Sequence, residues 1–192
     1  MLEIEQKFAD ANFADLERRL AALGVKGYII RQEEDHYHNA PDRDFKTTGE
    51  AFRLRRVGQA NFLTYKGPRR DPAVKIRPEL EIALRDGDDA ANEMLQLLHY
   101  LGYRPVAVVR KRRRIAHIKR KGYDLDICLD EIDELGRFAE VEILAPEEGL
   151  EVARAVLLET AAELGLSRVE QRSYLTMLLA RHEASEAGGQ KL

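Results

Sequence analysis

Apolar and charged side chains alternate from the start of the chain: Leu2, Ile4 and Phe8 fall on one side and Glu3, Glu5 and Lys7 on the other. This is the period-two pattern of a strand with one apolar and one charged face. Carboxylates two apart on a strand lie ~6.6 Å from each other, and such like charges repel by about 2.5 kcal/mol at an effective dielectric of about 20. The face is therefore either bathed in solvent or balanced by cations, and the later strands decide which.

The same period returns repeatedly. Tyr28 to Asn39 reads as a strand with Gln32, Glu34, His36 and His38 on one side and Glu33, Asp35 and Tyr37 on the other, its faces not cleanly sorted. Phe52-Arg53-Leu54-Arg55 turns through Gly58-Gln59-Ala60-Asn61 into Phe62 to Pro68, a hairpin that brings Arg53 and Arg55 near Lys66. Val74 to Leu84 places Lys75, Arg77, Glu79 and Glu81 on one face, with Pro78 marking an edge or bulge. Val106 to Ile118 and Tyr123 to Glu131 form a further hairpin, which carries Lys111 and Arg113 in one limb. In the other limb Asp124, Asp126, Cys128 and Asp130 alternate with Leu125, Ile127 and Leu129. Phe138 to Ile143 repeats the opening pattern with Glu140 and Glu142.

Helical spacing appears four times. Asn12 caps a stripe of Phe13, Leu16, Leu20 and Leu23; Asp88 caps one of Ala91, Leu95, Leu98 and Leu101; Pro146 opens one running from Leu150 to Leu164; and a last helix covers about Ser173 to His182. Pro41 to Asp44 and Thr47-Thr48-Gly49 are turn chemistry. Residues 1–182 are expected to form one domain, and 183–192, with Gly188-Gly189, a frayed tail.

The 192 residues suffice for one real core, and 44% of them are apolar. Thirty-one basic and thirty-four acidic residues give a net charge of −3, which argues against a general nucleic-acid or membrane-surface binder. No apolar run approaches the ~18 residues of a membrane span, and with no secretory signature at the N-terminus the cytoplasm is the expected location. Cys128 is the one cysteine, so no intrachain disulfide forms and no cysteine-based metal site exists. His36 and His38 lack a third close ligand and read as a polar strand face.

Together these are eight strand-like segments joined mostly by hairpins, with about four helices. Eight antiparallel strands tend to close, since closure removes unpaired edges, and the interior of such a barrel holds side chains or one small ligand. Helical stripes covering the apolar faces from outside leave the charged faces pointing inward. The expected fold is α+β, an eight-stranded antiparallel barrel with a charged interior. Inward Arg53, Arg55, Lys66, Lys111 and Arg113 make a polyanion site, since guanidinium forks and ammonium groups hold phosphate oxygens. Inward Glu3, Glu5, Glu140 and Glu142 make an oxygen-only site that favours Mg²⁺ or Mn²⁺ over zinc. Cations beside a divalent metal point to a polyphosphate.

These residues resemble a known family. Glu3-x-Glu5-x-Lys7, Phe52-Arg53-Leu54-Arg55, Tyr65-Lys66-Gly67-Pro68, Glu79-x-Glu81, Lys111-x-Arg113, Leu129-Asp130 and Leu135-Gly136-x-Phe138-x-Glu140-x-Glu142 are similar to the motifs of the CYTH family of triphosphate tunnel metalloenzymes. The resemblance runs to Ser173-Tyr174 and is strongest to the compact class IV adenylyl cyclases; related members hydrolyse thiamine triphosphate or inorganic tripolyphosphate. It implies that Glu3, Glu5, Glu140 and Glu142 hold metal with Asp130 assisting, and that Arg53, Arg55, Lys66, Lys111 and Arg113 grip triphosphate. Lys7 would orient the acids or touch phosphate, with Glu3, Glu5 and Lys7 as the catalytic set. Glu79 and Glu81 match the pattern, divided between metal binding and balancing Arg77. A cyclase would direct the ribose 3′-hydroxyl at the α-phosphorus and expel pyrophosphate, whereas a triphosphatase would direct water at a terminal phosphorus. A non-catalytic polyphosphate- or nucleotide-binding module is the third possibility, and the cyclase-like members suggest a homodimer.

Overall fold

The computed structural model describes residues 2–68 and 75–189. Its strands are β1 (Leu2–Ala9), β2 (Ile29–Asn39), β3 (Ala51–Val57), β4 (Ala60–Lys66), β5 (Lys75–Arg77), β6 (Glu79–Ala83), β7 (Arg104–Arg120), β8 (Tyr123–Ile132) and β9 (Gly136–Ala145). The helices are α1 (Phe13–Ala22), α2 (Phe45–Thr48), α3 (Asp88–Tyr100), α4 (Leu150–Glu163) and α5 (Tyr174–Gly189), with a 3₁₀ turn at Glu147–Gly149 before α4.

All strand pairs are antiparallel, in the order β5-β1-β9-β8-β7-β2-β3-β4-β6. The two outermost strands, β5 and β6, are consecutive in the chain and separated only by Pro78. Proline has no N–H to give to the ladder, so one line of chain is split there. Its first half pairs with β1 and its second with β4. The sheet is thus strongly curled, and the barrel expected from sequence has eight lines of strand with the fifth interrupted. Val74, the expected start of that strand, lies outside the described residues.

The core sits outside the barrel. Leu2, Ile4 and Phe8 of β1, Leu125, Ile127 and Leu129 of β8, and Val141 and Ile143 of β9 pack under Phe13, Leu16 and Leu20 of α1 and Ala153, Val156 and Leu157 of α4. Fully burying each large side chain stabilises the fold by roughly 2 kcal/mol, so the apolar alternates fix which face turns inward. The β7–β8 hairpin closes through Lys121 and Gly122, both at positive φ, as a two-residue turn with the twist of its strands requires.

Three local details differ from the sequence expectation. Thr47-Thr48-Gly49 belongs to a one-turn helix, α2, because Asp44 accepts the N–H of Lys46 at 2.9 Å and Gly49 ends it at φ 75°. Gly87 rather than Asp88 is the cap of α3; Asp88 lies in its first turn and pairs with Arg56. Helix α5 continues past His182 to Gly189, through Glu183, Ala184 and Glu186, residues with good to moderate helix propensity; residues 190–192 lie outside those described.

Candidate active site

The curled sheet encloses a cavity of about 780 Å³ lined by charged side chains from strand after strand, within the range of about 300–1,000 Å³ usual for small-molecule sites. Its cations are matched by carboxylates. On the wall made by β2, β3 and β7, Asp35 accepts from Arg55 Nε at 2.7 Å and from Arg53 at 3.2 Å, and Glu33 lies 3.0 Å from Lys111 Nζ and 3.2 Å from Arg55. Arg53 also donates to the Tyr37 hydroxyl at 3.1 Å. Two residues further along β7, Arg113 grips Asp130 with two bonds of 2.7 and 2.6 Å, reaches Glu142 at 3.1 Å and pairs with Glu140. Lys7 lies 3.3 Å from Glu140. At the seam, Lys66 joins Glu3 at 2.7 Å and Glu79 at 2.6 Å.

Unpaired buried charges on this scale would unfold the protein, and register supplies the pairing. Asp35 stands opposite Arg55, Glu33 opposite Lys111, and Arg113 opposite Asp130. Burial alone would raise the Glu33 carboxyl, but Lys111, Arg55 and Arg113 outweigh it and hold it at about 2. Asp35 is likewise held well below the usual range, its burial overcome by Arg53, Arg55 and Lys111.

Elsewhere the balance tips the other way. One carboxylate oxygen from each of Glu3, Glu5 and Glu142 lies within 4.8 Å of the others. Burial pushes Glu142 up to about 8, with Arg113 opposing and Glu140, Glu3 and Glu5 reinforcing. Burial likewise pushes Glu3 up to about 7, against the pull of Lys66; Glu79 shares a hydrogen bond with Glu3 and is held low. In this trio, burial and the neighbouring carboxylates outweigh the pull of Lys66 on Glu3 and of Arg113 on Glu142. Oxygen-only donors at that spacing fit a hard divalent cation.

The structure brings the predicted residues together with a finer division. Glu3, Glu5 and Glu142 converge, whereas Asp130 and Glu140 are turned to Arg113 and Lys7. Arg77 is buried opposite Glu3, and its Nε has no hydrogen-bond partner. Glu81 accepts from Thr64 at 2.9 Å and Glu79 is tied to Lys66. Sequence reasoning missed Glu33 and Asp35 as site residues, although with Tyr37 they alternate on one face of β2, the strand paired with β3 and its arginines. It also missed Tyr174, whose hydroxyl donates to Asp130 at 2.8 Å. His36 and His38 take no part in the carboxylate trio.

The cavity lining also includes the apolar Phe45, Ala51, Val106, Leu175 and Leu179, together with Asp44, Lys46, Glu50 and Thr176 from the same stretches of chain.

The sequence model described as the CYTH domain matches residues 1–174, the stretch that builds this tunnel. The chain belongs to the CYTH family. CYTH members bind triphosphate substrates and depend on metal. Among relatives, the Methanocaldococcus jannaschii protein named "Putative adenylate cyclase MJ0240" is 35% identical over 142 residues, 74% of this chain and 77% of that one. "Adenylate cyclase CyaB" of Aeromonas hydrophila is 29% identical over 181 residues, 91% of this chain and 87% of that one. The structure of the PH1819 protein from Pyrococcus horikoshii OT3 is 34% identical with a TM-score of 0.80, covering 93% of this chain and 99% of that one. No described helix is long and apolar enough to cross a membrane.

Proposed function

We propose that this CYTH enzyme takes an organic triphosphate into its tunnel with Mg²⁺ or Mn²⁺ and converts ATP to cyclic AMP and pyrophosphate. One observation carries the reading: a carboxylate trio and a set of arginines and lysines line one cavity that also has apolar side chains in its lining. The adenylate cyclase names of the Methanocaldococcus and Aeromonas proteins support it.

Glu3, Glu5 and Glu142 would hold the metal, with Glu140 and Asp130 behind them keeping Lys7 and Arg113 in place. When bound, a divalent cation supplies charge neutralisation of phosphate oxygens and acidifies a coordinated hydroxyl. The chain's own part is the grip. Arg53, Arg55, Lys66, Lys111 and Arg113 exchange their carboxylate partners for phosphate oxygens, which demands no new cation and no large movement. Arg77, with an unpartnered buried Nε, offers one more donor. Lys7, fixed beside Glu140, places its charge near the trio. Phe45, Leu175 and Leu179 would take the organic end of the substrate and turn the ribose toward the α-phosphorus, so that its 3′-hydroxyl gives up its proton to solvent and forms the new P–O bond while the bond from the α-phosphorus to the bridging oxygen breaks and pyrophosphate departs.

Hydrolysis of a triphosphate is the second reading, because the charged ring alone would grip inorganic tripolyphosphate equally well. Comparing Kd for ATP, tripolyphosphate and thiamine triphosphate by calorimetry tests the reading. Tighter binding of ATP supports it; equal affinity for all three removes the role of Phe45, Leu175 and Leu179.

A further inference from the structure

We propose that Tyr174 is a positioning residue whose ring, rather than its hydroxyl, aims the Lys7 ammonium into the tunnel. The proposal rests on the reading above, in which Lys7 serves the triphosphate.

Ser173 Oγ accepts the N–H of Thr176 at 3.0 Å and so caps α5. That cap sets Tyr174 at the first helical position, with its side chain buried against the barrel end. Lys7 Nζ then lies 3.7 Å from the centre of the Tyr174 ring, and Lys111 Nζ lies 5.8 Å from the same ring. Both are within the range where a ring face attracts a cation. Lysine is a point charge on a flexible four-carbon stem, and at 2% side-chain exposure Lys7 has no bulk water to organise it. Among the neighbours of its ammonium are Glu140 at 3.3 Å, the Arg172 carbonyl at 3.2 Å and the ring. The first two draw it toward the wall and the C-terminal segment; the ring supplies the face that sets its direction.

The hydroxyl addresses a different group. It donates to Asp130 Oδ2 at 2.8 Å, the carboxylate already gripped by Arg113. Phe138 meets the Tyr174 ring edge-on at 5.2 Å and 71°, which fixes the ring plane. Simple core packing would need neither two ammonium groups near the ring nor a carboxylate on its hydroxyl. Because ring and hydroxyl have separate partners, Tyr174→Phe and Tyr174→Leu separate their effects.

The test measures kcat and KM for both variants together with the ¹H–¹³C spectrum of lysine-labelled protein. In the native protein one lysine ε-methylene signal should be shifted upfield by the ring current and vanish in Lys7→Met. Tyr174→Phe should keep that signal and a kcat within about threefold of native. Tyr174→Leu should lose the signal and about ten- to a hundredfold in kcat, the scale of a misplaced catalytic group, with KM changing far less. Equal losses in the two variants, or native kcat in Tyr174→Leu, would overturn the proposal. Should Tyr174→Leu not fold, the native spectrum decides the placement, and absence of the shifted signal overturns it. A native protein that shows the shifted signal yet turns over no triphosphate would sink the functional reading and uphold the Lys7 placement.

Discussion

Lys66 Nζ lies 2.7 Å from Glu3 Oε2, an ion pair between β4 and β1 across the seam where the barrel's chain is split at Pro78. The same ammonium takes Glu79 at 2.6 Å. Lys66 thus adds an ion pair to the ladders that close the tunnel and takes part in the charge balance of the proposed substrate site.

Replacing Lys66 by Ala should cost both properties. Two buried carboxylates would lose their cation, a change that typically destabilises by about 3 kcal/mol or more. Chemical denaturation should show that loss, and calorimetry should show tripolyphosphate affinity falling at least tenfold. Native stability with native affinity would contradict the seam assignment.

Glu5→Gln and Glu142→Gln should abolish metal-dependent turnover while leaving metal-free tripolyphosphate binding equal to native or tighter. Each removes a trio oxygen charge that a cation would use and that a phosphate would oppose. Retained turnover in either variant would remove the trio from the metal site.

Metal-free stability should fall as pH rises from about 5 to 8. Glu142 and Glu3 have folded-state values pushed up to about 8 and about 7 from 4.5 by burial. Between those limits the unfolded chain binds fewer protons than the folded one, so unfolding becomes easier by up to about 1.4 kcal/mol per pH unit for each group. Glu33, held at about 2, contributes only below that window, where its stabilisation is lost on acidification. Thermal melts in chelator should trace the decline, Glu142→Gln should flatten it and Mg²⁺ should reverse it. A Tm that rises across the range would contradict the raised values of Glu3 and Glu142.

Asp35→Asn should lower stability, because Arg53 and Arg55 lose their shared carboxylate. It should also enlarge the rise in Tm caused by tripolyphosphate, since the anion then replaces a partner that is missing rather than one it must displace. Melts with and without tripolyphosphate measure both effects, and a smaller rise than native would show that Asp35 helps hold substrate.

Much of this architecture was legible from alternation, because burial of one face leaves a period-two record. Leu125, Ile127 and Leu129 against Asp126, Cys128 and Asp130 state which side of β8 meets helices. Glu33 and Asp35 escaped because the other face of β2 is polar too, with Glu34 paired outside to Arg110 at 3.1 Å. With no apolar alternate, only pairing with β3 and β7 reveals which face is inside. Tyr174 escaped for the opposite reason: with Met177 and Leu178 it forms an apolar helical stripe, and nothing local shows that its ring lies under a lysine drawn from β1. The narrower trio of Glu3, Glu5 and Glu142 likewise depends on Arg113 claiming Asp130 and Glu140 across three strands.

The measurement closest to the central claim is product analysis by phosphate-sensitive chromatography after separate incubations with ATP, tripolyphosphate and thiamine triphosphate, each with Mg²⁺ or Mn²⁺. The account predicts cyclic AMP and pyrophosphate in equal amounts from ATP. Orthophosphate from tripolyphosphate or thiamine triphosphate with no cyclic nucleotide would contradict the cyclase and leave a triphosphatase; binding without any product would contradict an enzyme altogether.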